Sequence, residues 1–215
     1  MKNRKLTNCF CLSGVIGLLF YILHDIVGAM YYPNYDWMSQ AVSDLTATSA
    51  PSFVIASGLS SIYGIFSCLC CAMVCVVVQG NANRILRLGV YLFTAMNFIS
   101  AVGYALFPLS ESGYAGSFQD IMHLYVVTAL VVALSIASLV LIAVGGFKSK
   151  GDKPLAVVSL ISLGFMFLGV IGVNVVPADY FGVPERFSVY SAVVFTAVLG
   201  VYGYLEGKRN EKENS

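Results

Sequence analysis

Charge is scarce in this chain. Lys, Arg, Asp and Glu make up 11% of 215 residues, while 58% are hydrophobic and the mean hydropathy is +0.82. Soluble domains carry about 25% charged residues, so this surface cannot all face water. The charges present nearly cancel, at +1, leaving no basic footprint for nucleic acid. Histidine is rarer still: there are two, and no H-E-x-x-H or similar contiguous metal motif occurs. A G-x-S-x-G nucleophile elbow is also missing. Six cysteines are present, but Cys9, Cys11, Cys68, Cys70, Cys71 and Cys75 all lie in apolar runs on the side predicted to be reducing. A disulfide framework is therefore not expected, and "CLCC" reads as small packing residues rather than a metal tract.

What the sequence has in quantity is long apolar runs. Six are present, at about 8–30, 51–79, 87–107, 118–147, 154–177 and 186–206. A hydrocarbon core of ~30 Å needs roughly 20 residues at 1.5 Å each. The spacing predicts an all-α polytopic bundle of six transmembrane helices, arranged as three hairpins in one integral membrane domain. The first run is too long for a signal-peptide core and no A-x-A pattern follows it, so it reads as a retained span. Eleven of the 12 Lys and Arg residues fall on one side, in segments 2–5, 84–87, 148–153 and 208–212; only Arg186 falls on the other. The positive-inside rule then predicts cytoplasmic N- and C-termini in the cell membrane, with membrane lipids as partners and the basic segments near anionic headgroups.

A frame repeats along the chain: "GAMYYP" (28–33), "GYALFP" (103–108) and "GVNVVP" (172–177). Each closes an outward-running helix, where proline ends the ladder. Each is followed by an acid before the returning helix: Asp44, Asp120 and Glu185. Ser57-x-x-x-Ser61, Ser60-x-x-x-Gly64 and the series Gly200, Gly203, Gly207 predict close helix packing. Tyr31, Tyr32, Tyr35, Trp37, Tyr104, Tyr114 and Tyr180 are assigned to an outer aromatic belt.

Ionisable residues near hydrocarbon are the informative ones, because unpaired burial of charge costs several kcal/mol. His24 and Asp25 lie roughly 12 Å before Pro33 along the helix axis. Asp120 and His123 share one face at i, i+3, and Ser117-x-x-Asp120 has the form of a capping box. Glu185 and Arg186 open the last helix, where Arg186 is predicted either to pair with Asp25, Asp44 or Glu185 or to take a phosphate or carboxylate. Asn97 reads as an interhelical hydrogen-bond donor. His24, Asp25, Asp44, His123, Glu185 and Arg186 all fall at the outer end, and a shared outward-facing cavity is the expectation.

"VSDLTATSAP", "LFP", His123 and "PERF" together resemble the prokaryotic six-helix membrane family called domain of unknown function 998, over nearly the whole chain. In that pattern Ser43, Asp44 and Leu45 match S-[DE]-L, Phe107 and Pro108 match F-P, and Glu185 and Arg186 match E-R. Pro184 departs from the larger apolar residue expected before E-R. A more distant likeness, to the Frag1/DRAM/Sfk1 type of six-helix protein, rests on "SDLTATSAP". The family name implies no reaction.

Three functions fit these residues. In the first, Ser43, Asp44, Glu185 and Arg186 bind a lipid headgroup or small polar molecule, which the protein holds or transports. In the second, the chain is an outer-leaflet lipid hydrolase with His24, Asp25 and His123 as catalytic candidates. A divalent metal is its candidate cofactor, on ligands drawn from His24, Asp25, Asp44 and His123. The third is a structural or accessory role.

Overall fold

Six apolar helices organise the protein, a computed structural model that describes residues 2–80, 82–113 and 115–213. Tyr114 lies outside the described residues. Helix α1 is built of Lys2–Cys11 and Ser13–Met30; α2 is Phe53–Val78, α3 Arg84–Leu106 and α5 Lys153–Val175. Helix α4 runs from Phe118 through a π-helical turn, Met122–Val127, to Phe147. Helix α6 is Gly182–Glu213, beginning earlier and ending later than the apolar run predicts. Its polar extension is held by the i, i+3 pair of Arg209 on Glu206 and by good helix formers. All six are long and apolar enough to cross a membrane, and large side chains such as Leu19, Ile26, Val54, Ile65, Leu168 and Val175 stand exposed along them. An exposed apolar belt of this extent belongs in lipid. The chain is an integral, multi-pass membrane protein.

Each helix packs against the next, and α6 returns to α1 and α2. Segments 31–52, 107–117 and 176–181 meet at one end, here the loop end: Thr48 N–H donates to Leu109 O and Gly182 N–H to Met38 O. At the other, basic end, Asn83 Nδ2 donates to Ser149 Oγ and Asn8 Nδ2 to Glu211. Asn83 also caps α3, accepting from Ile85 and Leu86 N–H.

The apolar core is concentrated toward the basic half. Cys11, Cys70, Cys71, Val74, Leu86, Val90, Phe93, Leu139, Ile142, Phe195 and Leu199 form one cluster, with Phe93 edge-on to Phe195 at 5.0 Å. Gly200 packs so closely on α1 that a Cβ there would strike the Cys11 carbonyl. Asn97 Oδ1 accepts a hydrogen bond from Ser67 Oγ across α2 and α3, so the interhelical role is filled as acceptor. Toward the loop end the core thins, leaving Tyr21, Val42 and Val193 as a separate small cluster. His24, Asp44, Asp120 and His123 are buried at this end, while Asn8, Asp152 and Glu206 are buried at the basic end.

Candidate functional site

A single-turn 3-10 helix, Val42–Thr46, enters the bundle at the loop end. Val42 and Leu45 are fully buried, and Val42 packs with Tyr21 and Val193. The alternation of apolar and polar residues in V-S-D-L-T turns the first and fourth into the helices. Asp44 tethers the segment: one oxygen accepts from Ala41 N–H at 3.1 Å, the other from Gly113 N–H at 2.9 Å. Ser43 is half-buried, and its carbonyl accepts from Thr46.

Arg186 straps this segment to the helices. Its Nε and Nη2 donate to Asp25 at 3.1 and 2.9 Å, a forked pair whose side chains are 12% and 14% exposed. Nη2 also donates to Tyr35 Oη, which donates onward to Ala41 O. Nη1 donates to the carbonyls of Trp37, Gln40 and Gly182, and Tyr190 Oη gives Asp25 a third donor. The guanidinium is saturated by protein. Tyr35 is therefore a relay in the strap rather than a belt residue, and burial raises its hydroxyl pKa. Gly182 is obligatory beside it, since a Cβ would strike the Gln40 and Trp37 carbonyls. Tyr31, Trp37 and Tyr180 are exposed, as a belt requires.

His24 and His123 meet different neighbours. His24 is 3% exposed, lies edge-on to Tyr21 at 5.2 Å, and both its ring nitrogens are buried without a hydrogen-bond partner among the described residues. Tyr21 in turn meets Tyr63 and Tyr190 at 4.8 and 5.5 Å. His123 instead sits on α4, where its Nδ1 is 2.7 Å from Phe107 O and its ring lies 4.6 Å from Tyr104. The π-helical turn widens α4 at this point, and the His123 carbonyl accepts from both the N–H and the Oγ1 of Thr128. Tyr104, placed in the belt by sequence, packs inside against His123 and bonds Thr128.

Asp120 completes the capping box with Ser117 and also takes Ser110, through N–H at 2.8 Å and Oγ at 2.8–2.9 Å. Glu185 accepts from Val42 N–H at 3.3 Å. Among the described residues, no three His, Cys, Asp or Glu side chains come together as metal ligands. The polar residues thus form two groups, His24–Asp25–Glu185–Arg186 on α1 and α6 and Asp120–His123 on α4, with Asp44 bridging the loops between them. Sequence reasoning missed Tyr21, Tyr63, Tyr190 and Ser110, because a tyrosine or serine in an apolar run is common and carries no spacing signal.

The family described as protein of unknown function (DUF998) matches residues 15–202. The chain is a member of the DUF998 family. The match includes every candidate residue from His24 to Arg186, as well as the Val42–Thr46 segment. No curated protein and no solved structure matches this DUF998 chain.

Proposed function

We propose that this protein is a binding protein of the membrane's outer half. In this reading a chamber beneath the Val42–Thr46 segment takes the polar head of a lipid or a small polar molecule. The observation that carries the reading is His24: a buried imidazole with neither nitrogen partnered costs roughly 1–3 kcal/mol, which a ligand atom or water removes. Glu185 and Tyr63 support it: both are half-buried, Glu185 on the covering segment through Val42 N–H and Tyr63 against Tyr21, which meets His24. Glu185 also lies within electrostatic reach of Tyr21 and Tyr104.

The lining favours an ammonium group. Glu185 supplies a carboxylate with one backbone donor, and tyrosine faces attract cations. Arg186 has no N–H left for a phosphate, so it acts as the strap that closes the chamber. Ser43 and Asp44 belong to the covering segment.

His24→Phe is expected not to destabilise the protein, since it removes no hydrogen bond and relieves the unpartnered imidazole, while abolishing retention of an amine-bearing ligand. Protein purified in detergent, incubated with phosphatidylethanolamine or with free ethanolamine, and assayed by mass spectrometry and thermal shift reads this directly. Glu185→Gln should weaken the same retention. A large loss of stability in His24→Phe with retention intact would give His24 to the structural reading.

The proposed topology places the three Gly-x-x-x-x-Pro ends outside and both termini in the cytoplasm, supported by the asymmetry of Lys and Arg. A reporter active only outside the cell membrane, fused at residue 215, should stay inactive, and inserted after Ser112 should become active.

A further inference from the structure

At the basic end, the first turns of α5 and the last turns of α6 leave between them a groove of about 350 Å³. Leu155 and Val158 wall one side and Val201 and Leu205 the other, and Arg209 stands at the mouth. Along α6 the lining runs from Val198 to Arg209, roughly 16 Å at 1.5 Å per residue. That is about half of a ~30 Å hydrocarbon core, so the groove has the reach of one leaflet. Its charged lining residues are Arg209 and Glu206, and the Arg209 guanidinium lies against Gly151, in a segment that also carries Lys148, Lys150, Lys153 and the carboxylate Asp152. Both acids are already engaged, Asp152 by Tyr202 Oη at 3.0 Å and Glu206 by Arg209 at 2.7 Å. The Arg209 side chain is 47% exposed, and Nη2 is the nitrogen that binds Glu206. Nε and Nη1 are left to meet an incoming anion.

We propose that this groove seats one acyl chain of an anionic phospholipid from the adjoining leaflet, with its phosphate on Arg209. An apolar furrow in a bilayer gains dispersion contacts only if a chain fills it. Arg209 then selects which headgroup brings the chain, offering a phosphate oxygen a charge-assisted hydrogen bond. The site is independent of the loop-end chamber and stands or falls alone.

Native mass spectrometry of the full chain, equilibrated in mixed micelles of phosphatidylglycerol and phosphatidylcholine, tests it. One phosphatidylglycerol should be retained about fivefold in preference, the discrimination expected of one interfacial cation. Arg209→Gln should bring the two lipids to parity. Val201→Trp, which fills the groove and spares every charge, should remove the retained lipid. Equal retention by the parent, or a preference that survives Val201→Trp, would mean diffuse attraction to a basic surface and overturn the proposal. Size-exclusion profiles establish that each variant is folded. If Val201→Trp is not, the half-exposed Arg209→Gln decides, and an unchanged preference in it has the same overturning force.

Discussion

Arg186→Met should lower stability by about 3–5 kcal/mol, the loss expected when one partner of a buried pair is removed. The mechanism is specific. The substitution strands the Asp25 carboxylate, with only Tyr190 among the described residues left to donate to it. It also leaves Tyr35 Oη and the carbonyls of Trp37, Gln40 and Gly182 without their shared donor. Arg186→Lys should recover little, because one ammonium cannot reproduce the fork on Asp25 while reaching three carbonyls. Asp25→Asn should cost less than Arg186→Met, since an amide still offers Arg186 and Tyr190 an acceptor oxygen. Equilibrium unfolding in mixed micelles measures all three. A loss below about 1 kcal/mol for Arg186→Met would rank the pair with exposed ion pairs and remove its role as strap. Because the strap holds segment 35–41 against α6, protease cleavage in that segment should accelerate in the same variant.

The second large effect is at Asp120. This carboxylate is 0% exposed and accepts from Ser110 N–H, Ser110 Oγ and Ser117 N–H. Asp120→Ala orphans two backbone donors, the Ser117 N–H of the cap's return bond and the Ser110 N–H, for a total of about 3 kcal/mol. Asp120→Asn keeps one acceptor oxygen and should cost about half as much. The loss should appear as faster proteolysis of segment 108–117 and a lower unfolding midpoint, with the segment between α1 and α2 loosened through Asp44 and Gly113. Tolerance of alanine within about 1 kcal/mol would show that the serines find other acceptors.

These two residues show how far the sequence reaches. Ser117-x-x-Asp120 has the spacing of a capping box, and the box is there; but Ser110, seven residues upstream of Ser117 in an irregular loop, has no periodic relation to Asp120 and emerges only in three dimensions. Arg186 stood out because cations are otherwise confined to the basic end. Its choice of Asp25 over Asp44 or Glu185 was not legible, as all three lie at the same end of their helices. The histidines were the hardest case. Both read as outer-half residues beside a carboxylate, yet His24 turns toward Tyr21 and His123 toward Tyr104 and the Phe107 carbonyl. Depth follows from counting residues along a helix; azimuth depends on helix rotation, and for His123 on a π-helical turn that no residue pattern announced.

The sequence by itself determined a six-span, all-helical membrane protein and the end of the helices at which both histidines and Arg186 lie. Hydrocarbon imposes those through length, hydropathy and the cost of charge, which are properties of each segment alone. Tertiary structure decided which acid Arg186 clamps, that Val42–Thr46 folds into the bundle, and that the two histidines serve separate surroundings. Those outcomes depend on how six helices rotate against one another, and rotation is fixed by packing between segments rather than by any segment's composition.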